Sequence, residues 1–413
     1  MIPAVTTLVL AFAVSILPVA GAQPAYAQPA NLTEAPPVML AKEALGPDLL
    51  RGPDHLVEDF VYNDGAINRY QVTSTYGRHS VRSTALLRLR VYELLALRRI
   101  EQLEQTDLYA RARQAAATSP LAQQKMAILG RPGVAGPSGG AGAFFGGPVS
   151  PDGVGVDLSM TAGKFERYRR RFAYSAGLNP YSRFDALQQV VREYAWTCFA
   201  GGVEVDAAFA AIADAPVKLP PARAFDDLIA KRIRDETATQ LRERNVQLLV
   251  GMGVNESVAR VLQGQPLYTP VARTVITEAL ARMPEVQGRQ VFVERAALIH
   301  EVALAQQIQD WAELLAGYHN NVEPVARIIQ LGSSPFMVTA DGKIVGVFAM
   351  DLLVWTQQTA NALDTLSGQL ARVPGLTGRE LWFAGSVTPL TRQNLEKRGW
   401  KVEENTAARL DLK

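Results

Sequence analysis

A mainly helical fold with a C-terminal α/β domain follows from two features of the chain. From Thr84 to about Asn321 apolar residues recur at helical spacing, and after Glu323 short strand-like runs take turns with capped helices. A third feature sets the context: Ala4 to Ala22 carries no charge and is followed by small residues, the pattern of a secretory signal.

The composition excludes several function classes. The 413 residues are 48% hydrophobic and 20% charged, which suits two or three folded domains. The 42 Lys and Arg nearly balance 40 Asp and Glu, and a net charge of +2 gives no field to recruit nucleic acid or an anionic membrane. A single cysteine, Cys198, forbids an internal disulfide. It lies on a helical stripe with Phe184, Leu187, Val191 and Tyr194, where a thiol behaves as a small hydrophobe.

In chain order, residues 1–27 read as a signal peptide cleaved after Ala22 or Ala27. No Lys or Arg precedes the apolar run, so an uncleaved anchor is the alternative and would be the only membrane contact. Export to the periplasm or beyond is the expected localisation. No later stretch reaches about 18 uninterrupted apolar residues, and the mature chain is expected to be soluble. Residues 28–55 are rich in Pro and Ala without a period, which predicts a flexible arm. Within it Asn31-Leu32-Thr33 is a sequon, relevant only in a eukaryotic secretory route.

Residues 56–129 read as a hairpin around Asn63-Asp64-Gly65 followed by helices. The first helix starts at Thr84 and carries Leu89, Tyr92, Ala96, Ile100 and Leu103, with Leu87, Val91 and Leu94 on a second face. Thr106 and Ser119 mark further helix starts. Residues 130–157 form a linker, because ten glycines and four prolines between Gly130 and Val156 leave little side chain to bury. No Lys-Ser or Lys-Thr follows to make a phosphate loop, and Asp152 and Asp157 lack the spacing of a calcium loop.

Residues 158–322 read as a helical domain, with caps at Asn255 and at Thr269 before Pro270. Its last helix, Arg289 to Tyr318, aligns Val293, Ala297, His300, Leu304, Ile308, Trp311, Leu315 and Tyr318 in one stripe. Residues 323–413 are the α/β domain: strands at 325–331, 336–340, 343–348, 381–384 and 400–404, a turn at Asp341-Gly342, and helices capped by Thr356 and Thr388. That order implies a small mixed sheet with packed helices.

Candidate chemistry is confined to His300 and Glu301. The position of the second zinc-binding histidine of an H-E-x-x-H motif is occupied by Leu304, so the pair makes no metal site, and no metal or cofactor is expected. No G-x-S-x-G elbow is found, and Asp226-Asp227 lies in an ordinary charged helix. Should the α/β domain hold a ligand, the loop Gly385-Ser386-Val387-Thr388 at the end of a strand is where it would bind.

Two segments carry a resemblance. Tyr174 to Ser182, with Ala195-Trp196 and Gly201-Gly202 beyond it, resembles part of a group of uncharacterised exported proteins of Proteobacteria. Glu380 to Gly385, with Leu395 to Val402, resembles the C-terminal segment of the same group. The resemblance covers about half the chain and implies a bacterial cell envelope or secreted location and no activity. Three functions are therefore weighed. The first is a periplasmic or envelope-associated binding or scaffolding protein, its partner an envelope protein or a small ligand. The second is a periplasmic hydrolase using His300 and Glu301. The third is a membrane-surface-active protein using the Thr84 to Leu103 helix and the glycine-rich segment. The absence of a catalytic motif favours the first.

Overall fold

Strand alternation builds the first sheet in the computed structural model, which describes residues 33–129, 154–212, 227–332, 334–410 and 412. The expected signal peptide and most of the expected linker lie outside these residues. β1 (Val38–Leu40) leads through two single-turn helices, α1 (Ala41–Ala44) and α2 (Pro47–Leu50), to β2 (His55–Val57), β3 (Phe60–Asn63), β4 (Asn68–Ser74) and β5 (Gly77–Arg82). All pairings are antiparallel, with β4 central, β5 on one side of it, β3 and β2 on the other, and β1 beyond β3. Val57, Val61, Tyr70, Val72 and Val81 point inward because side chains alternate across a pleat. The hairpin expected at 56–75 is present as β3 and β4, with Gly65 at φ +107° where a side chain would be strained. The arm differs from expectation. From Glu34 onward it is built into the fold, since Glu34 N–H donates to Trp355 O at 2.9 Å and its carboxylate accepts from Trp355 N–H at 3.0 Å.

Ser83 caps α3 (Thr84–Glu101), and α4 (Asp107–Thr118), α5 (Lys125–Leu129), α6 (Val154–Ser175), α7 (Asp185–Ala200) and α8 (Val205–Ala210) complete the first core. Both apolar faces of α3 are buried, Leu87, Leu94, Ala96, Leu97 and Ile100 completely, which leaves no apolar face to lie on a bilayer. This core holds helices from both sides of the Gly/Pro-rich stretch, and α6 already begins at Val154. No described helix is long and apolar enough to cross a membrane.

A second core gathers α10 (Ala238–Gly251), α11 (Glu256–Gly264), α12 (Pro270–Ala281), α13 (Arg289–Ala297) and α14 (Val302–Asn321), with α9 (Asp227–Asp235) at its margin. Beyond α14 come β6 (Val325–Leu331), β7 (Ser334–Thr339), β8 (Lys343–Phe348), β9 (Leu352–Leu353), α15 (Gln357–Leu370), β10 (Gly378–Phe383), β11 (Ser386–Val387), α16 (Pro389–Lys397) and β12 (Lys401–Glu403). The main sheet has the order β12-β10-β8-β7-β6, parallel across β8, β10 and β12 and antiparallel across β6, β7 and β8. This is the mixed sheet that the strand and helix order predicts. One face of it, with Met337, Val345, Val347 and Trp382, closes the second core against α13 and α14. The other, with Ile344, Leu381 and Phe383, packs on α15 and α16. The helices before residue 323 therefore supply one layer of the α/β sandwich.

Expectation and structure part again at the long stripe. Arg289 to Tyr318 is two helices separated by Leu298–Glu301, not one. The Gln265 side chain donates to the carbonyls of Ala297 and Ile299 at 3.0 and 3.2 Å, satisfying groups that a continuous helix would have bonded internally.

The tip of the β3–β4 hairpin is knitted into the loop after β8. Asp351 accepts from Asn68 N–H at 2.9 Å and Thr84 N–H at 3.0 Å, while Ala66 O accepts from Asp351 N–H at 3.0 Å and Gly65 O from Val354 N–H at 2.9 Å. Burial pushes the Asp351 carboxyl above the usual carboxylate range, against those donors, which favour its ionised form. Asp351→Ala leaves two inward backbone donors without an acceptor and should cost about 2–3 kcal/mol, read from urea unfolding of the full chain. A second prediction concerns pH. His319 Nδ1 accepts the Val325 N–H at 3.0 Å, and burial followed by Arg289 lowers its pKa below 6.5. With the folded value depressed, the contribution is present above 6.5 and is lost as pH falls through the folded pKa. Stability should therefore fall between about pH 7 and pH 5, and His319→Gln should make that fall shallower.

Candidate functional site

The outer face of the first sheet is the surface with the composition of a binding site. Register puts Val38, Tyr62, Arg69 and Arg82 in one row across β1, β3, β4 and β5. Leu56 and Phe60 extend it along β2 and β3, because the alternation that buries Val57 and Val61 turns their neighbours outward. Val38, Phe60 and Tyr62 are 58%, 56% and 54% exposed and Leu56 44%, so large side chains that would normally be buried lie side by side in water.

The charged half of the row is an ion-pair chain. Asp64 faces Arg82 at 2.9 Å and Arg69 at 3.5 Å, and Arg82 reaches Glu301 at 3.7 Å. The loop between α13 and α14 thus adjoins the sheet, carrying the exposed Leu298 and Val302 on either side of His300 and Glu301. Aromatic and aliphatic side chains beside arginine, with acids at the margin, are the usual makeup of a recognition surface.

His300 and Glu301 are sequence neighbours that the fold leaves half exposed, 3.8 Å apart, on the rim of this surface. The break at 298–301 takes His300 off the stripe it shares in sequence with Leu304 and Ile308, both of which are buried. What Glu301 gains is Arg82, a partner no spacing argument could supply. Among the described residues no group of three or more His, Cys, Asp or Glu side chains is placed to hold a metal ion.

The loop from Gly385 to Thr388 is filled from within the chain. Thr388 caps α16 and donates its hydroxyl to the Glu34 carboxylate, Ser386 pairs with Leu352, and the Asp351 carbonyl lies where a Cβ on Gly385 would sit, 2.1 Å away. Cys198 is 1% exposed, and burial raises its thiol pKa to about 11. A small apolar cavity between the second sheet and α15, lined by Phe348, Leu363, Leu366 and Phe383, belongs to the core rather than to a ligand site.

No family model, no curated protein and no solved structure matches the chain. Two outcomes check the assignments above. His300→Ala and Glu301→Ala should each change stability by less than about 0.5 kcal/mol in urea unfolding, since both side chains are half exposed and their ion pairs are long. The Cys198 thiol should react with a disulfide reagent only at the rate of unfolding in native buffer and at once in denaturant.

Proposed function

We propose that this is an exported bacterial protein that works in the periplasm or at the envelope by holding a protein partner on the outer face of its first sheet. The observation that carries the reading is the exposed set of Val38, Phe60 and Tyr62, neighbours on β1 and β3, with Leu56 exposed on β2. Patches of this kind are kept by proteins that cover them in use. The partner's chemistry follows from the row: aliphatic or aromatic side chains to meet Phe60 and Tyr62, and a carboxylate to meet Arg69, whose side chain is 52% exposed and whose acid, Asp64, is shared with Arg82. The charge-free Ala4–Ala22 run supports export. Catalysis at His300 has less support, because the carboxylate it meets, that of the neighbouring Glu301, is 3.8 Å away, outside hydrogen-bond reach.

A photocrosslinking residue at Tyr62 of the full chain, in cells of the source bacterium, should give one discrete protein adduct. Phe60→Glu should abolish it, and the same residue at Val250, 42% exposed on α10, should not give it. An identical adduct from Val250, or none from Tyr62, sinks the proposal. Fractionation with N-terminal sequencing tests export separately: a start after Ala22 or Ala27 supports it, and an intact Met1 form in the cytoplasm rejects it.

A further inference from the structure

Three arginines from separate parts of the chain meet on one short stretch of backbone at the C-terminal end of α11. Arg273, on α12, donates through Nη1 to the Gln263 carbonyl, and Arg183, in the turn before α7, donates through Nη2 to the Pro266 carbonyl. From α10, Arg242 Nη2 lies 3.6 Å from where a Cβ on Gly264 would sit. Residues 263 to 266 span at most about 11 Å, so the three guanidinium groups are gathered in one place. Carbonyls at a helix end attract cations, but each of these bonds uses one N–H of a group that has five and leaves its charge intact.

No acid neutralises the cluster. Among the described residues none of the three arginines has a carboxylate within 4.0 Å. The sequences of α10, α11 and α12 contain one acid each, Glu243, Glu256 and Glu278, and the turn before α7 contains none. All three acids are committed to other arginines: Glu278 to Arg232, and Glu243 and Glu256 to Arg260 at 3.7 and 2.8 Å. Burial, and after it the charges of Arg242 and Arg183, bring the Arg273 guanidinium down to about 10, so it still carries its charge at neutral pH.

The frame beneath the cluster is fixed. Asn245 of α10 donates to Gln263 Oε1 at 3.1 Å and to Thr274 Oγ1 at 3.0 Å, and Gln263 donates to Thr277 Oγ1 at 3.2 Å. These four side chains are buried and tie α10, α11 and α12 together, which holds like charges side by side. Tyr181 seats the turn that carries Arg183 on a cluster that includes Val271 and Val275 of α12. Arg183 and Arg242 are exposed and Arg273 is half-buried, so a ligand can reach the group from solvent.

We propose that Arg183, Arg242 and Arg273 form a binding site for the phosphate group of a ligand, held over residues 263 to 266. A phosphate brings the negative charge that the cluster lacks and several acceptor oxygens, which guanidinium forks match in geometry. The site lies on the second core and the turn before α7, so the proposal does not rest on the role given to the sheet face.

The test is the thermal stability of the full chain titrated with inorganic phosphate, against sodium chloride at matched ionic strength. A ligand that binds only the folded state raises the midpoint with its concentration. Phosphate also stabilises folded proteins by exclusion from their surface, so the response that counts is the part the arginines carry. Arg183→Gln and Arg242→Gln should each weaken the apparent affinity about fivefold or more, and the double variant should respond to phosphate no more than to chloride. Arg244→Gln with Arg260→Gln, two exposed arginines that have acid partners, should keep the full response. Sedimentation with phosphatidylglycerol vesicles separates the sources of the phosphate: binding that the double variant loses assigns it to a lipid headgroup, and any other result assigns it to a soluble ligand. Equal responses of the unmodified chain to phosphate and chloride overturn the proposal. So does a phosphate response that the double variant keeps unchanged, or that both single variants keep should the double variant fail to fold.

Discussion

The structure turns on the carboxylate of Asp351. It sits in the loop after β8 and accepts two backbone N–H groups, from Asn68 and Thr84, that are 283 and 267 residues away in sequence. One of those donors lies at the tip of the β3–β4 hairpin and the other is the first residue of α3. A single side chain therefore fixes the first sheet and the first long helix against the mixed sheet at the other end of the chain. Charge-assisted bonds to backbone donors are among the stronger polar contacts, and here the backbone groups would otherwise be buried unpaired. The Asn63 side chain, which donates to Leu352 O at 3.2 Å, and the carbonyls of Gly65 and Ala66 complete the joint. Glu34 does the same from the arm by reaching Trp355 and Thr388.

That joint explains the form of the candidate surface. With the inner face of the first sheet committed to α3 and the hairpin tip committed to the β8 loop, the outer face has no element of the described chain laid over it. Its apolar residues alternate along their strands with residues that are core, so the pleat that stabilises the sheet also displays Phe60 and Tyr62. The arginine half of the row is neutralised in part by Asp64 and Glu301, which keeps the surface near zero charge. The proposed recognition there would rest on apolar fit with arginine setting direction, in keeping with the chain's small net charge.

Features whose partners lie within one helical turn were legible in the sequence. Thr106, Asn255, Thr269, Thr356 and Thr388 each accept from a backbone N–H two or three residues on, and Asp341-Gly342 turns between β7 and β8. The burial of Cys198 was equally readable from its stripe. The arm and the break at 298–301 were not. Prolines without a period hide the strand β1 and the reach of Glu34, and the break depends on Gln265 from an earlier helix taking two carbonyls. Of the candidate site, His300 and Glu301 were visible as residue types and misplaced in geometry. Arg82 and the row across the sheet were invisible, because register is a relation between strands and not a property of any one of them.

By itself the sequence determined the alternation of helices with strands, the caps and turns that bound them, the near-neutral charge and the lone buried thiol, all consequences of period and short-range hydrogen bonding. Tertiary structure alone decided which helices share a core across residues 130–153, where the arm docks, why Arg289 to Tyr318 is two helices, and which side chains meet on the sheet face. Those outcomes depend on groups tens to hundreds of residues apart competing for the same backbone donors and acceptors, and no local pattern records which of them wins.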